Sequence, residues 1–205
     1  MPYRIGLTGN IACGKSTVGQ LLVARGAEYV DADRLVHTLL EPGTPENDRI
    51  VQRFGPEVRS ADGRIDRPRL GGIVFADPAA LRDLEAILHP GVRAEIRRRL
   101  TASTAPIFVV DAIKLIEGGL AREMDAVWVV VCPRSEQVRR LMTERGMTAK
   151  QAETRITAQG SQEEKVRHAT VVIDNGGTLD ETVRQVDAAL ALSQRTLADK
   201  NKPLS

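Results

Sequence analysis

Apolar and polar positions along the chain fall into two alternating rhythms. Five short runs are dominated by apolar residues: 3–7 (YRIGL), 28–32 (EYVDA), 107–112 (IFVVDA), 126–131 (AVWVVV) and 170–174 (TVVID). Three of them are almost continuously apolar, the pattern of strands buried on both faces. Between the runs the period becomes helical. Val18, Leu21, Leu22 and Arg25 follow i, i+3, i+4, i+7 spacing, and Gly26 stands where a helix C-cap belongs. Thr148 with Gln151, Ser161 with Glu164, and Thr178 with Glu181 have capping-box spacing and predict three more helix starts. Strand alternating with helix predicts an α/β fold around a parallel sheet.

Two stretches exceed a minimal alternation. Residues 42–105 carry mostly helical pattern, including a long run that starts at Asp77, a good N-cap, with Pro78 at the first helical position. Pro90 is expected to break or kink that run, because proline lacks the amide donor and disfavours helical angles at His89. Residues 133–168 are helical and rich in arginine. The expectation is one domain with a core at about 1–41, 106–132 and 169–195, a helical insertion at about 42–105, a lid at about 133–168 and a frayed polar tail at 196–205. Insertions at the carboxyl ends of parallel strands are where such a fold places an acceptor site and a lid.

The first run leads directly into Gly9, Asn10, Ile11, Ala12, Cys13, Gly14, Lys15, Ser16 and Thr17, which match G-x-x-x-x-G-K-[ST] between a predicted strand and a predicted helix. Its amides can curl inward, and the following helix adds unpaired donors and the positive end of its dipole. A polyphosphate such as that of ATP suits this loop, with Lys15 reaching the outer phosphates and the Ser16 hydroxyl serving Mg2+. The bland alternative, a chance glycine-rich turn, does not account for the strand and helix on either side. Cys13 reads as a small loop residue whose backbone does the binding.

Asp31 and Asp33 close the second run. In extended chain, residues two apart face one side, so both carboxylates can line a substrate crevice, one acting on an acceptor hydroxyl. Alternatively, Asp33 caps a helix that begins at Arg34. Asp111, after IFVV, occupies the place of an aspartate that holds Mg2+ through water, and an aspartate in a turn is its plain reading. Lys114 and Glu117 follow as substrate contacts or loop charges. Arg139, Arg140 and Arg145 lie on a predicted helix and its end, where a lid arginine can meet a transferring phosphoryl group or simply form a wet face. The three histidines, at 37, 89 and 168, lack metal-ligand spacing.

Composition narrows the partners more than the chemistry. A formal net charge of +2 over 205 residues and 3% aromatic content argue against nucleic-acid binding. No apolar run approaches the roughly 18 residues of a membrane span, and no leader pattern opens the chain, so a cytoplasmic location is expected. Two cysteines without Cys/His clustering suggest reduced thiols and no structural zinc. A monomer or small homo-oligomer is expected.

With these residues in view the chain resembles the dephospho-CoA kinases. The resemblance runs from IGLTGNIACGKSTV and VDAD through DGRIDRPRLGGIVFADPAALRDLEAILHP to AQGSQEEKVRHATVVIDNGG. Asp62-Gly63, Asp66-Arg67, Val74-Phe75, Leu88-His89-Pro90, Gln159, Lys165 and Asp174-Asn175-Gly176 make it selective. It implies a three-layer P-loop NTPase fold with a five-stranded parallel sheet, a helical acceptor-binding insertion and a helical lid. It implies ATP-dependent phosphorylation of the ribose 3′-hydroxyl of dephospho-CoA, the last step of coenzyme A biosynthesis. By position it implies Lys15, Ser16 and Thr17 for ATP and Mg2+, Asp33 as general base and Arg140 as the lid arginine. Asn175 and Gly176 fall beside adenine, and Arg67 and Arg69, with His89, on the acceptor side. Two stretches depart from the family pattern. Residues 111–117 read DAIKLIE, with isoleucine and lysine where proline and leucine are usual. The lid sequence reads Met142-Thr143-Glu144-Arg145-Gly146, which shifts its arginine by one place and favours Arg140 over Arg145.

A regulatory GTPase would need N-K-x-D, but the one Asn-Lys pair, Asn201-Lys202, is followed by Pro203-Leu204. A kinase for a nucleoside or nucleoside monophosphate shares the loop and the lid. A nucleotide-binding module without catalysis is disfavoured by Lys15, Ser16 and Asp33 together.

Overall fold

A computed structural model describes residues 2–200 of the chain, with side chains through Ser193. The five apolar runs are the five strands: β1 (Tyr3–Gly9), β2 (Glu28–Asp31), β3 (Ile107–Asp111), β4 (Ala126–Val131) and β5 (Val171–Asp174). They form one parallel sheet in the order β2-β3-β1-β4-β5. β1 is central, with Leu7 level with Asp111 on one side and Trp128 on the other. Nine α-helices are described: α1 (Lys15–Ala24), α2 (Ala32–Leu39), α3 (Pro45–Phe54), α4 (Arg67–Val74), α5 (Pro78–Ala102), α6 (Arg134–Arg145), α7 (Ala149–Thr157), α8 (Gln162–Val166) and α9 (Leu179–Lys200).

The chain separates into two compact units, Asp31–Ala102 and the remainder. In the sheet unit, Tyr3, Ile5, Leu7, Val109, Trp128, Val130 and Ile173 bury one face of the sheet against Val18 and Leu22 of α1 and Val186 and Leu190 of α9. Phe108, Val110, Val127 and Val129 alternate with them and are also buried, which is why these strands read as unbroken apolar runs. Each such side chain contributes about 1.5–3 kcal/mol of burial. α1 ends in a Schellman turn, with Gly26 at φ +85°, its N–H on Val23 O and the Ala27 N–H on Leu22 O. α7 opens with the Thr148/Gln151 capping box, and the Thr178/Glu181 pair caps α9 in the same reciprocal way. Ser161 caps α8 through the Glu164 amide.

The other unit packs α2 to α5 around Leu40, Ile50, Phe54, Val58, Ile65, Leu70, Val74, Ala80 and Leu88. Asn47, fully buried, ties its segments together: its amide donates to Leu40 O and Gly63 O and accepts from the Arg59 guanidinium.

Three expectations are corrected here. α5 runs unbroken for 25 residues through Pro90, because Leu88, Val92 and Ile96 keep the flanking turns buried; such packing can offset the roughly 3 kcal/mol that an internal proline costs. α2 starts at Ala32, so its N-cap is Asp31, whose Oδ1 accepts from the Arg34 amide at 2.8 Å. Asp33 therefore sits in the first helical turn, neither an N-cap nor paired with Asp31 along a strand face. α9 continues to Lys200 where a frayed tail was expected from residue 196. Residues 201–205, including the Asn201-Lys202 pair, lie outside the described residues.

Candidate active site

The loop between β1 and α1 is a backbone cradle whose outer carbonyls are tied down by side chains from distant parts of the chain. Ile11 O accepts from Gln137 Nε2 at 2.8 Å, Ala12 O from Arg140 Nη1 at 3.1 Å and Cys13 O from Asn175 Nδ2 at 2.9 Å. Ile11 N–H donates to Gln159 Oε1 at 2.6 Å. Ala12, at φ +59°, is the one described non-glycine residue in the left-handed region; that conformation costs about 1–2 kcal/mol, so the ties hold a strained crest. Gly14 precedes α1 at φ +88°, and a Cβ there would lie 2.0 Å from Asn175 Nδ2. Only glycine fits between the loop and the side chain that anchors it.

Lys15 opens α1, and its ammonium lies 3.7 Å from Asp111 Oδ1 at the end of β3. Asp111 Oδ2 accepts from the Tyr29 hydroxyl at 2.5 Å. Tyr29 reaches it because α1 carries glycine at position 19, where a Cβ would meet the Tyr29 ring at 2.7 Å. Ser16 is exposed in the first turn of α1, and Thr17 follows half-buried. The donors here, the Ser16 hydroxyl and the Asp111 carboxylate, are the hard oxygen ligands that Mg2+ takes. Among the described residues no group of three or more His, Cys, Asp or Glu side chains gathers anywhere, so such an ion would draw its remaining ligands from phosphate and water.

Arg140 is half-buried beside the loop: Nε is on Glu136 Oε1 at 2.8 Å, Nη1 on Ala12 O and Nη2 on Asn175 O at 2.7 Å. Glu136 is pulled down to about 2 by hydrogen bonds, first from Arg139 and then from Arg140. Arg145 ends α6 and is exposed. Asn175 is buried, its Oδ1 accepting from Thr182 Oγ1 at 2.9 Å, and Gly176 packs where a Cβ would meet Pro133. The Cys13 thiol, also buried, is shifted down by hydrogen bonding to the Cys132 thiol, which is itself shifted up. Lys114 is exposed in the turn after β3, while Glu117 pairs with buried Lys165 at 2.7 Å.

In the helical unit, Asp33 is exposed in the first turn of α2, Arg67 is exposed at the start of α4 and His89 is half-buried on α5. Arg69 pairs with Asp66 at 3.2 Å and donates to Glu57 O, an ion pair and a backbone tie within the helical unit.

The family model for dephospho-CoA kinase matches residues 3–181. The chain belongs to the dephospho-CoA kinase family. A Symbiobacterium thermophilum dephospho-CoA kinase is 50% identical over 188 residues, 90% of this chain and 79% of that protein. A solved Thermus thermophilus structure is 36% identical, with a TM-score of 0.82 over 93% of this chain and 97% of that one. A solved dephospho-CoA kinase from Campylobacter jejuni is 26% identical, with a TM-score of 0.69 over 96% and 100%. Among the described residues of this family member, no helix is long and apolar enough to cross a membrane.

The structure thus brings Lys15 and Asp111 together, and Arg140 and Asn175 against the loop. Sequence reasoning missed Gln137 and Tyr29. Gln137 lies one helical turn before Arg140, so a polar position on the buried face of α6 was the available signal. Tyr29 carried none beyond its place two residues before Asp31.

Proposed function

We propose that the chain transfers the terminal phosphoryl group of ATP to the ribose 3′-hydroxyl of dephospho-CoA, giving coenzyme A and ADP, the last step of coenzyme A biosynthesis. The observation that carries this reading is family membership across residues 3–181, joined to a phosphate loop whose lysine lies 3.7 Å from the strand-end aspartate. In the reading, the loop amides and the first turn of α1 bind the phosphates, and Lys15 leaves Asp111 to follow the transferring group. Mg2+ held through Ser16 and Asp111 would offset charge on the outer phosphates. Asp33 accepts the proton of the attacking hydroxyl, and Arg67 with His89 and Lys114 serves the acceptor, whose phosphates suit guanidinium geometry. Arg140 holds the loop's outer face and Asn175 with Gly176 borders the nucleobase, while exposed Arg145 is the arginine able to approach as α6 to α8 close as a lid. The helical unit Asp31–Ala102 is assigned to the acceptor.

The test is ADP release coupled to NADH oxidation, with dephospho-CoA, nucleosides and nucleoside monophosphates as separate acceptors. Turnover with dephospho-CoA at least a hundredfold above the others is expected. Turnover confined to a nucleoside or nucleoside monophosphate would replace this reading with the alternative kinase.

A further inference from the structure

The segment from Gln159 to Lys165, between α7 and β5, touches the phosphate loop at three of its variable letters. Gln159 Oε1 takes the Ile11 amide at 2.6 Å, Gly160 O takes Asn10 Nδ2 at 3.0 Å, and Gln162 Oε1 accepts from the Cys13 thiol at 3.2 Å. Gln162 is fixed in turn by the Cys132 backbone, accepting from its N–H at 3.2 Å and donating to its carbonyl at 3.0 Å. Lys165 closes the segment by donating to Ile113 O at 2.9 Å, the carbonyl that also receives the Thr8 hydroxyl. One short stretch therefore grips the nucleotide loop and the turn after β3 together.

The grip on Ile11 has a specific consequence. A loop of this kind binds phosphate through inward N–H groups, and the Ile11 N–H is withdrawn from that set by a side-chain acceptor. With Gln137 on Ile11 O, both flanks of the residue before the strained crest are bonded to amide side chains. We propose that Gln159 is a positioning residue for phosphoryl transfer: it orients the Asn10–Ile11 peptide so that the crest at Ala12 is set for the terminal phosphate of a triphosphate. The amides that open α1 serve the inner phosphates and do not depend on Gln159. The proposal rests on the reading of the loop as an ATP site, and it assigns Gln159 to discrimination between triphosphate and diphosphate, which that reading leaves open.

Gln159→Ala and Gln159→Glu test it. The glutamate keeps an acceptor for the Ile11 N–H; the alanine removes it. Calorimetric titration with ADP and with a non-hydrolysable ATP analogue gives the affinity ratio directly. Gln159→Ala should leave the ADP dissociation constant within about twofold and weaken the analogue about fivefold or more. Its kcat with dephospho-CoA should fall at least tenfold, and its KM for ATP should rise in step with the dissociation constant of the analogue. Hydrogen exchange at the Ile11 amide should accelerate in Gln159→Ala and stay slow in Gln159→Glu. The proposal is overturned if both affinities fall together with the melting temperature, if neither changes, or if Ile11 exchange is the same in both variants. A wild-type protein inactive on dephospho-CoA would remove the acceptor assignment, while the affinity ratio would still decide the role of Gln159.

Discussion

Asp31 and Asp33, two residues apart, are expected to separate into a stability role and a chemical role. Asp31 Oδ1 accepts from the Arg34 amide at 2.8 Å and begins α2, so Asp31→Ala removes an N-cap worth about 1 kcal/mol. In a chain of this size that lowers the melting temperature by about 2–4 °C. Asp31→Asn retains an oxygen acceptor for the same amide and should melt with the wild type. Asp33→Asn keeps the size of the side chain and removes only its charge from the first turn, a change of about 0.3–1 kcal/mol. If Asp33 is the general base, its loss lowers kcat by about 10²–10⁴. The assay is differential scanning fluorimetry alongside coupled ADP release on all three variants, with activity measured at least 15 °C below the lowest midpoint. Turnover of Asp33→Asn within tenfold of wild type would refute the base assignment. An unchanged midpoint for Asp31→Ala would refute the cap.

Three further outcomes follow from the loop and its anchors. Lys15→Met should weaken ATP binding by at least tenfold and abolish detectable turnover, measured by titration and the coupled assay, because Asp111 cannot replace the lost cation on the phosphates. Gly14→Ala should lower both the melting temperature and ATP affinity, since its Cβ would meet Asn175 Nδ2 at 2.0 Å; wild-type affinity by calorimetry would show that the anchor yields. Glu136 is depressed from its ordinary 4.5 to about 2, so its contribution is present at neutral pH and is lost as pH falls through the interval from about 4.5 to about 2. The midpoint difference between wild type and Glu136→Gln should therefore be constant from pH 8 to about 5 and close below that, and a difference that instead grows on acidification would refute the pairing with Arg139 and Arg140.

What the chain disclosed in advance was what local rules decide. Apolar period located all five strands, glycine and lysine spacing located the phosphate loop, and Ser and Thr capping pairs located the starts of α7, α8 and α9. The misreadings came where two local rules compete. Aspartate is a good cap at 31 and at 33, and the helix chose the earlier one; proline breaks helices, yet buried neighbours carry α5 across Pro90. The ties on the loop were hidden for a different reason. Gln137, Gln159 and Asn175 meet loop atoms 126 to 162 positions away in sequence, and an uncharged amide leaves no periodic trace. Even Arg140, expected to face a phosphate, is held at three points on Ala12 O, Asn175 O and Glu136, contacts that no spacing could announce.

The central place of β1 in the sheet bears on how the protein comes into being on the ribosome. Every letter of the phosphate motif has been translated by residue 17, but both strands that flank β1 and all the side chains that hold the crest at Ala12 are translated after residue 106. At about 5–20 residues per second, the nascent chain carries the motif for about 8 to 30 seconds before its last anchor, Asn175, has been made. Nucleotide capture is therefore deferred until Asn175 has been added, and a product truncated before residue 137 carries the motif without any of the side chains that hold its crest.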